Sequence, residues 1–318
     1  MKKLISLALI LVMLVTALVA CNGSVMVMGT GGTAGTYYGY GGILGTQIKT
    51  SAGVTVNVVS TDGSKANILG IAAGNYQLGT VQSDVMAYAW LGSRSFESEG
   101  KIDSIRVIGG LYAEAVQLVT MDPSITSVAD LRGKKVSIGA AGSGVYFNAM
   151  DVLAAAGLTE ADIIPQYQSF ADSADALKDG KIDAAFIVAG PPTPAITELF
   201  TTNSNARLVP IDGAVAEALL AACPFYTVHS IPAGTYANQT EEVLTVTVKA
   251  TLIVSASASE DDVYAVTKAI FDNIEAITAA HAKGAELSLE NATSGMTVPF
   301  HKGAAKYFAE KGITVEAE

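Results

Sequence analysis

Two glycine-rich loops restrict this chain to one class of fold. The first, GTGGTAGTYYGYGG, spans residues 29–42 and follows the β-rich run Val25–Met28. The second, GAAGSG, spans residues 139–144 and follows the β-rich run Lys135–Ile138. Each opens a helical run, Tyr38–Thr50 after the first and Val145–Ala156 after the second. The same strand–turn–helix order recurs at Val54–Ser60, Thr61-Asp62-Gly63-Ser64 and Lys65–Ala73. It recurs again where Leu78–Val81 runs into Gln82-Ser83-Asp84. Strands alternating with helices predict parallel sheets of the α/β class. In such sheets ligands sit outside the carboxyl ends of the strands, where these loops fall.

Further along, Ser104–Leu111 and Val116–Thr120 read as strands, Val128–Leu131 as a short helix, Ala171–Lys178 as a helix and Ala184–Val188 as a strand. Two lobes are expected, joined by a hinge. Lobe one takes residues 25–111 and 214–318, with Val248–Val254 and a helix over Asp261–Ala280 completing it. Lobe two takes residues 112–213, and the continuous run Ile105–Thr120 carries the chain across. The return is poorly marked, because Asp212–Thr247 holds Gly213, Pro224, Pro232 and Gly234 and suits either lobe.

The N-terminus sets the compartment. Lys2 and Lys3 precede an apolar run, Leu4–Ala20, which ends in Leu18-Val19-Ala20-Cys21. Small residues before a cysteine form a bacterial lipobox, so residues 1–20 are read as a signal peptide and Cys21 as the lipidated residue. The alternative is an uncleaved anchor, but the run is slightly short for a spanning helix and no stop-transfer pattern follows. The expected place is extracytoplasmic, tethered to a membrane by lipid. Cys223 is the other cysteine of the chain, flanked by apolar residues, and is read as buried.

Composition removes several functions. The chain has 318 residues, a formal net charge of −11 and 50% hydrophobic residues. The predicted leader carries two lysines and no acid, so the remainder is more acidic still. A chain so acidic is a poor partner for nucleic acid. The histidines, His229, His281 and His301, lack ligand spacing, so no metal is expected. Ser143 sits in G-x-x-G-S-G rather than G-x-S-x-G, and no His–Asp partnership accompanies it. Gly29–Ala34 fits G-x-G-x-x-A after a strand, with Asp62 at the end of the next one, the outline of a dinucleotide site. An exported chain meets no such cofactor pool, so no cofactor and no enzyme activity are expected. Tight turns alone would also explain the glycines, although several such turns converge on one expected face.

What these loops offer is an anion cradle. Helix N-termini present free N–H groups and about half a positive charge. Glycine allows close approach, and Ser and Thr add hydroxyl donors. None of the four arginines, Arg94, Arg106, Arg132 and Arg207, lies within these loops.

The chain resembles the TAXI solute receptors, the extracytoplasmic binding subunits of TRAP transporters. The residues that carry the resemblance run from about Val25 to Gly312. They are Gly29–Gly42, Ser60–Ser64, Val81–Val85, Gly142-Ser143-Gly144, Phe170 through Ile182–Phe186, and Ile231–Tyr236. The resemblance implies a two-lobed type II periplasmic-binding-protein fold. It implies capture of a small organic acid or amino acid, glutamate-like or a dicarboxylate, and delivery to a membrane permease driven by an ion gradient. A solute sensor of the same fold is the alternative. Carried over residue by residue, the expected ligand contacts are Gly31, Thr33, Gly35, Thr36 and Tyr37, then Ser60, Thr61 and Ser64, then Gln82, Ser83 and Asp84. Gly142, Ser143, Gly144 and Phe170 face them across the cleft. Asp84 is the expected partner of an ammonium group, or else a helix cap. Asp62, Gly39 and Val145-Tyr146 depart from the pattern, which implies a ligand other than the common glutamate.

Overall fold

The computed structural model describes residues 24–318. The lipobox and the predicted lipid site at Cys21 lie outside the described residues.

The first half is built as the loop spacing predicts. Strands β1 (Val25–Gly29), β2 (Thr55–Val59) and β3 (Leu78–Gln82) alternate with helices α1 (Thr36–Ala52), α2 (Ser64–Ala72) and α3 (Ser83–Leu91). β1 pairs in parallel with both β2 and β3. Gly53, in the left-handed region at φ 72°, ends α1 and donates its N–H to the Lys49 carbonyl. β3 is buried along its whole length, as a strand covered on both faces must be.

Next comes β4 (Ile105–Thr120), a single strand of 16 residues. The two runs read on either side of Tyr112 are one element. Gly109 and Gly110 make this possible. A Cβ on Gly109 would stand 2.9 Å from the Phe271 ring, and one on Gly110 would stand 2.8 Å from the Asn291 carbonyl. Their bare backbone lets the C-terminal helices lie directly on the strand.

The second half holds β5 (Lys135–Ser137), α4 (Val145–Ala155), β6 (Ile164–Gln166), α5 (Phe170–Lys178), β7 (Ala184–Ala189), α6 (Pro194–Thr202), β8 (Arg207–Val209), α7 (Gly213–Ala222) and β9 (Thr227–Ile231). Val128–Leu131 is one 3-10 turn, closed by a reciprocal Ser127–Asp130 capping box. The chain returns through β10 (Val243–Ser255), then α8 (Glu260–Phe271), α9 (Ile274–Ala280), α10 (Leu289–Thr293) and α11 (Lys302–Glu310).

The strands form one sheet in the order β2-β1-β3-β10-β4-β7-β5-β6, with β8 also on β4 and β9 on β10. β4 and β10 are antiparallel and run through both lobes. Their lower halves pair with lobe one, as in Ala250–Val254 on β3. Their upper halves pair with lobe two, as in Ala115–Thr120 on β7. The register slips between Lys249 and Thr251 and again between Leu252 and Ile253, and such bulges bend and twist a strand.

Two expectations change here. Residues 214–231 pack with the second lobe rather than the first. Ala216, Leu219, Cys223 and Tyr226 pack into its core, and β9 pairs with the upper half of β10. The return therefore lies within β10, not at residue 214. The helix expected over Asp261–Ala280 is broken at Asp272. That carboxylate accepts from Tyr307 Oη at 2.8 Å and pairs with Lys311 at 2.8 Å, both on or beside α11. A side chain held by another helix, followed by Asn273, ends α8 and starts a new axis.

Each lobe has its own core. In lobe one Met28, Tyr40, Leu44, Ile68, Leu78, Ile270 and Phe308 are fully buried together. Each such side chain contributes ~1.5–3 kcal/mol by leaving water. In lobe two the sheet is covered on both faces, by Val116, Val136, Val152 and Phe186 on one and by Ile187, Ile196, Leu199 and Phe200 on the other. Among the described residues no helix is long and apolar enough to cross a membrane.

Candidate functional site

The loops of both lobes meet across a cleft, and hydrogen bonds tie one lobe to the other. Thr36 Oγ1 donates to the Gly190 carbonyl at 2.7 Å, Ala195 N to the Ala34 carbonyl at 3.1 Å and Ala66 N to the Gly142 carbonyl at 3.3 Å. Gln82 Nε2 donates to Asn148 Oδ1 at 2.8 Å, and Arg94 pairs with Asp151 at 2.5 Å. Phe170 of lobe two lies on Gly35 of lobe one, 3.3 Å from where a Cβ would stand. At Gly144 a Cβ would fall 1.6 Å from Gln82 Oε1, so any other residue must push the Gln82 amide out of its place against Asn148.

These contacts bring the lobes together around a cavity of about 380 Å³ that keeps a mouth open to solvent. That is the scale of a small organic ligand. Gly31, Thr33, Gly35, Thr36, Tyr37, Ser60, Thr61, Ser64 and Gln82 line it from lobe one, and Ser143, Gly144 and Phe170 from lobe two. Four helices start at its wall: α1 at Thr36, α2 at Ser64, α4 at Val145 and α5 at Phe170. α1 and α4 have no side-chain cap, so their first N–H groups stay available, whereas in the first turn of α2 Ala66 N is taken by the Gly142 carbonyl. Gly63, at φ 106°, makes the turn into α2 that only glycine takes easily.

Three of the expected contacts stand elsewhere. Ser83 Oγ accepts from Lys249 N at 3.2 Å and faces the far side of the hinge strands. Gly142 spends its carbonyl on Ala66 and does not line the cavity. Asp84 is fully buried behind Gln82, where its Oδ2 accepts from Asn148 Nδ2 at 3.0 Å. Burial, with the negative Asp151 nearby, pushes the Asp84 carboxyl up to about 7. Gln82 ends the strand and points into the cavity. Asp84 lies two residues on, within a helix turn, and points toward α4.

The hydroxyls are also less free than their types imply. Ser60 Oγ donates to the Gly31 carbonyl at 3.0 Å, and Thr61 Oγ1 bonds the Thr30 carbonyl at 3.0 Å and Asn67 Oδ1 at 2.7 Å. Ser64 Oγ accepts from Gln82 N at 3.1 Å. These groups brace the loop. Ser143 Oγ differs, being buried with no partner. Gln82 Oε1 and Gln168 Oε1 are likewise buried and unpartnered. Buried polar atoms left unpaired cost free energy, so a cavity wall holding three of them is shaped for something that pairs them.

One wall residue was not expected. Glu114, from the middle of β4, lines the cavity at 2% exposure. Tyr37 Oη donates to its Oε2 at 2.7 Å. Burial pushes the Glu114 carboxyl up to about 8, against the lowering effect of that hydrogen bond. Its signal in the sequence was a lone acid within IRVIGGLYAEAVQLVT, a strand otherwise almost free of charge. Asp62 also lines the cavity but is exposed at its mouth. Among the described residues no lysine, arginine, histidine or cysteine lines the cavity, so Ser143 has no imidazole beside it. Among the described residues no group of three or more His, Cys, Asp or Glu side chains is placed to hold a metal ion. Cys223 is a free, buried thiol whose pKa is pushed up by burial.

Comparison with known proteins agrees with this architecture. A family described as NMT1-like matches residues 28–312. A protein from Bordetella bronchiseptica RB50 superposes with a TM-score of 0.56 at 17% identity, covering 90% of this chain and 89% of that one. The periplasmic binding protein of Salmonella typhimurium with high arginine specificity gives 0.51 at 11% identity, covering 83% and 99%. The alkanesulfonate-binding protein from Xanthomonas axonopodis pv. citri, bound to MOPS, gives 0.50 at 16% identity, covering 92% of each. The fold is the two-lobed type II periplasmic-binding-protein fold.

Proposed function

The chain belongs to the NMT1-like family, and from that premise we propose that it is a solute receptor which closes on a small organic acid or amino acid outside the cytoplasm. The observation that carries this reading is the cavity between two hydrogen-bonded lobes, with buried polar atoms on its wall that nothing in the protein pairs. Interlobe hydrogen bonds hold the closed form. A ligand shifts the balance toward that form by contacts it makes only when both lobes reach it. Two of the structural neighbours bind an alkanesulfonate and arginine, both small charged solutes.

In the same reading, lipid at Cys21 tethers the body to a membrane, and the cargo passes to a TRAP-type permease driven by an ion gradient. The lack of an imidazole beside Ser143 among the described residues favours binding over hydrolysis.

The test is a thermal-shift screen of a chain lacking residues 1–21, which keeps both cores and every interlobe bond named above. The panel holds amino acids, dicarboxylates, oxo acids, sulfonates, sugars and nucleotides. A ligand at 1,000 times its Kd adds ~4 kcal/mol. At ~2–4 °C per kcal/mol this is a shift of roughly 8–16 °C. A shift with one charged organic solute supports the receptor; a shift with nucleotides alone overturns this choice of cargo.

A further inference from the structure

We propose that Glu114 determines the specificity of the cavity by selecting ligands that carry an ammonium group beside a carboxylate, with Gln82 Oε1 as the second acceptor. The inference rests on the receptor reading above and narrows its cargo from organic acids in general to free amino acids.

The cavity wall offers donors and acceptors side by side. The uncapped starts of α1 and α4 and the free Ser143 hydroxyl are donors. These suit a carboxylate. Glu114 and Gln82 Oε1 are acceptors on the same wall. Tyr37 occupies one oxygen of Glu114, and the carboxyl group lines the cavity. Glu114 stands opposite Val248 on the paired β4–β10 ribbon, so it is held by backbone ladder and not by a loop.

The polarity of Gln82 is set from the opposite lobe. Asn148 Nδ2 donates to Asp84 Oδ2 at 3.0 Å and to Tyr226 Oη at 2.7 Å, and Tyr226 Oη donates on to Asp151 Oδ2 at 3.2 Å. Asn148 Oδ1 is thereby left as an acceptor, and Gln82 Nε2 fills it. The Gln82 amide is committed nitrogen-outward, and its buried Oε1 is left without a partner. Asp84, the acid that sequence reading placed on the ligand, thus acts at one remove. It orients Asn148, which orients Gln82.

Charge bookkeeping points the same way. The lining carries acids and no cation. Lys283 lies near enough to act on Glu114 electrostatically, but its Nζ is bound to Glu286 Oε1 at 2.5 Å and it does not line the cavity. A buried carboxyl without a cation keeps its proton or is paired, and burial already pushes Glu114 up to about 8. An ammonium from the ligand is the missing charge. A dicarboxylate would bring a second negative group and no cation to the Glu114 carboxyl.

Calorimetric titration of the chain lacking residues 1–21 tests this with the standard L-amino acids, the 2-oxo acid of each amino acid that binds, and succinate and glutarate. Wild-type protein is expected to bind an amino acid about 10- to 100-fold more tightly than its 2-oxo partner, the effect of one charge-assisted hydrogen bond. Glu114→Gln is expected to bring the two within about threefold. Glu114→Asp, which keeps the carboxyl, is expected to keep the preference and controls for a folding defect in the first variant. Oxo acids or dicarboxylates binding as tightly as amino acids would overturn the proposal and leave the receptor standing. So would a preference that survives Glu114→Gln. If no solute of any class bound, both readings would fall together.

Discussion

The two glycine loops look alike in composition and do different work. In the first, no glycine is left-handed; Gly39 and Gly42 have nothing within 4 Å of an added Cβ, and only Gly29 and Gly41 are tight, at 2.5 Å from Asn67 Oδ1 and 2.8 Å from Thr30 Cγ2, both within their own lobe. The loop's hydroxyls are tied to backbone, as Thr30 Oγ1 is to the Val59 carbonyl at 2.7 Å. In the second, Gly139 and Gly142 stand at φ 89° and 83°, and Gly144 has no room at all. The hydroxyl of Ser143 is unspent. One loop is a braced wall. The other is the edge that must slide under Gln82 for the cleft to shut. A glycine-rich motif can therefore mean conformation, clearance or neither, and only the three-dimensional neighbourhood separates them.

The sharpest way to break this comparison is Gly144→Ala. Its Cβ collides with Gln82 only when the lobes close, so ligand affinity should drop by two orders of magnitude or more, a cost of ~3 kcal/mol. The melting temperature without ligand should fall too, because the closed contacts are lost. Affinity within threefold of wild type, measured by titration calorimetry, would show that the second loop is not the closing edge.

A smaller effect concerns the seam beyond the cavity. Asp84 faces Asp151, Tyr226, Asn148, Tyr88, Cys223 and, further off, Glu114 and Arg94. Its carboxyl is raised to about 7 in the closed form. A raised acid favours the folded state below the unfolded carboxylate range and loses that advantage as pH climbs through the folded value. Wild-type melting temperature should therefore decline between about pH 5 and pH 8 more than that of Asp84→Asn. The difference should reach several degrees, given ~2–4 °C per kcal/mol. Parallel pH curves would remove Asp84 from the seam.

The smallest effect belongs to the first loop. Gly39→Ala lies within α1 with open space around it and should stabilise the fold by about 1 kcal/mol with no change in affinity. A loss of binding in this variant would erase the distinction between the loops.

What the sequence made legible was local. A β-rich run, a glycine turn and a helix start are neighbours in the chain, so β1 to α3 and the cavity wall from Gly31 to Gln82 could be read directly. Residues brought in by long-range pairing could not. Glu114 reaches the cavity because β4 pairs with β10 across 130 or so residues of sequence, a register set by the whole sheet. Asp84 was misplaced by helical phase, since two residues past the strand end turn a side chain away from the cavity. The hydroxyls of Ser60 and Thr61 were counted as free donors because their carbonyl partners belong to the neighbouring strand's loop. The break at Asp272 depended on Tyr307 and Lys311, which no local pattern announces.

The β4–β10 ribbon has a mechanical consequence. Two antiparallel strands joined by a hydrogen-bond ladder resist sliding, because a slip of one residue breaks every rung and inverts every side chain. They yield far more easily to torsion, and two-stranded ribbons twist more than wide sheets do. The bulges at Lys249–Thr251 and Leu252–Ile253 concentrate that compliance beside Glu114. In the receptor reading, the molecule would then be a clasp with one soft coordinate. Its jaws would return to the same alignment, and Glu114, proposed to read the cargo, would sit almost on the axle, where it moves least as they open.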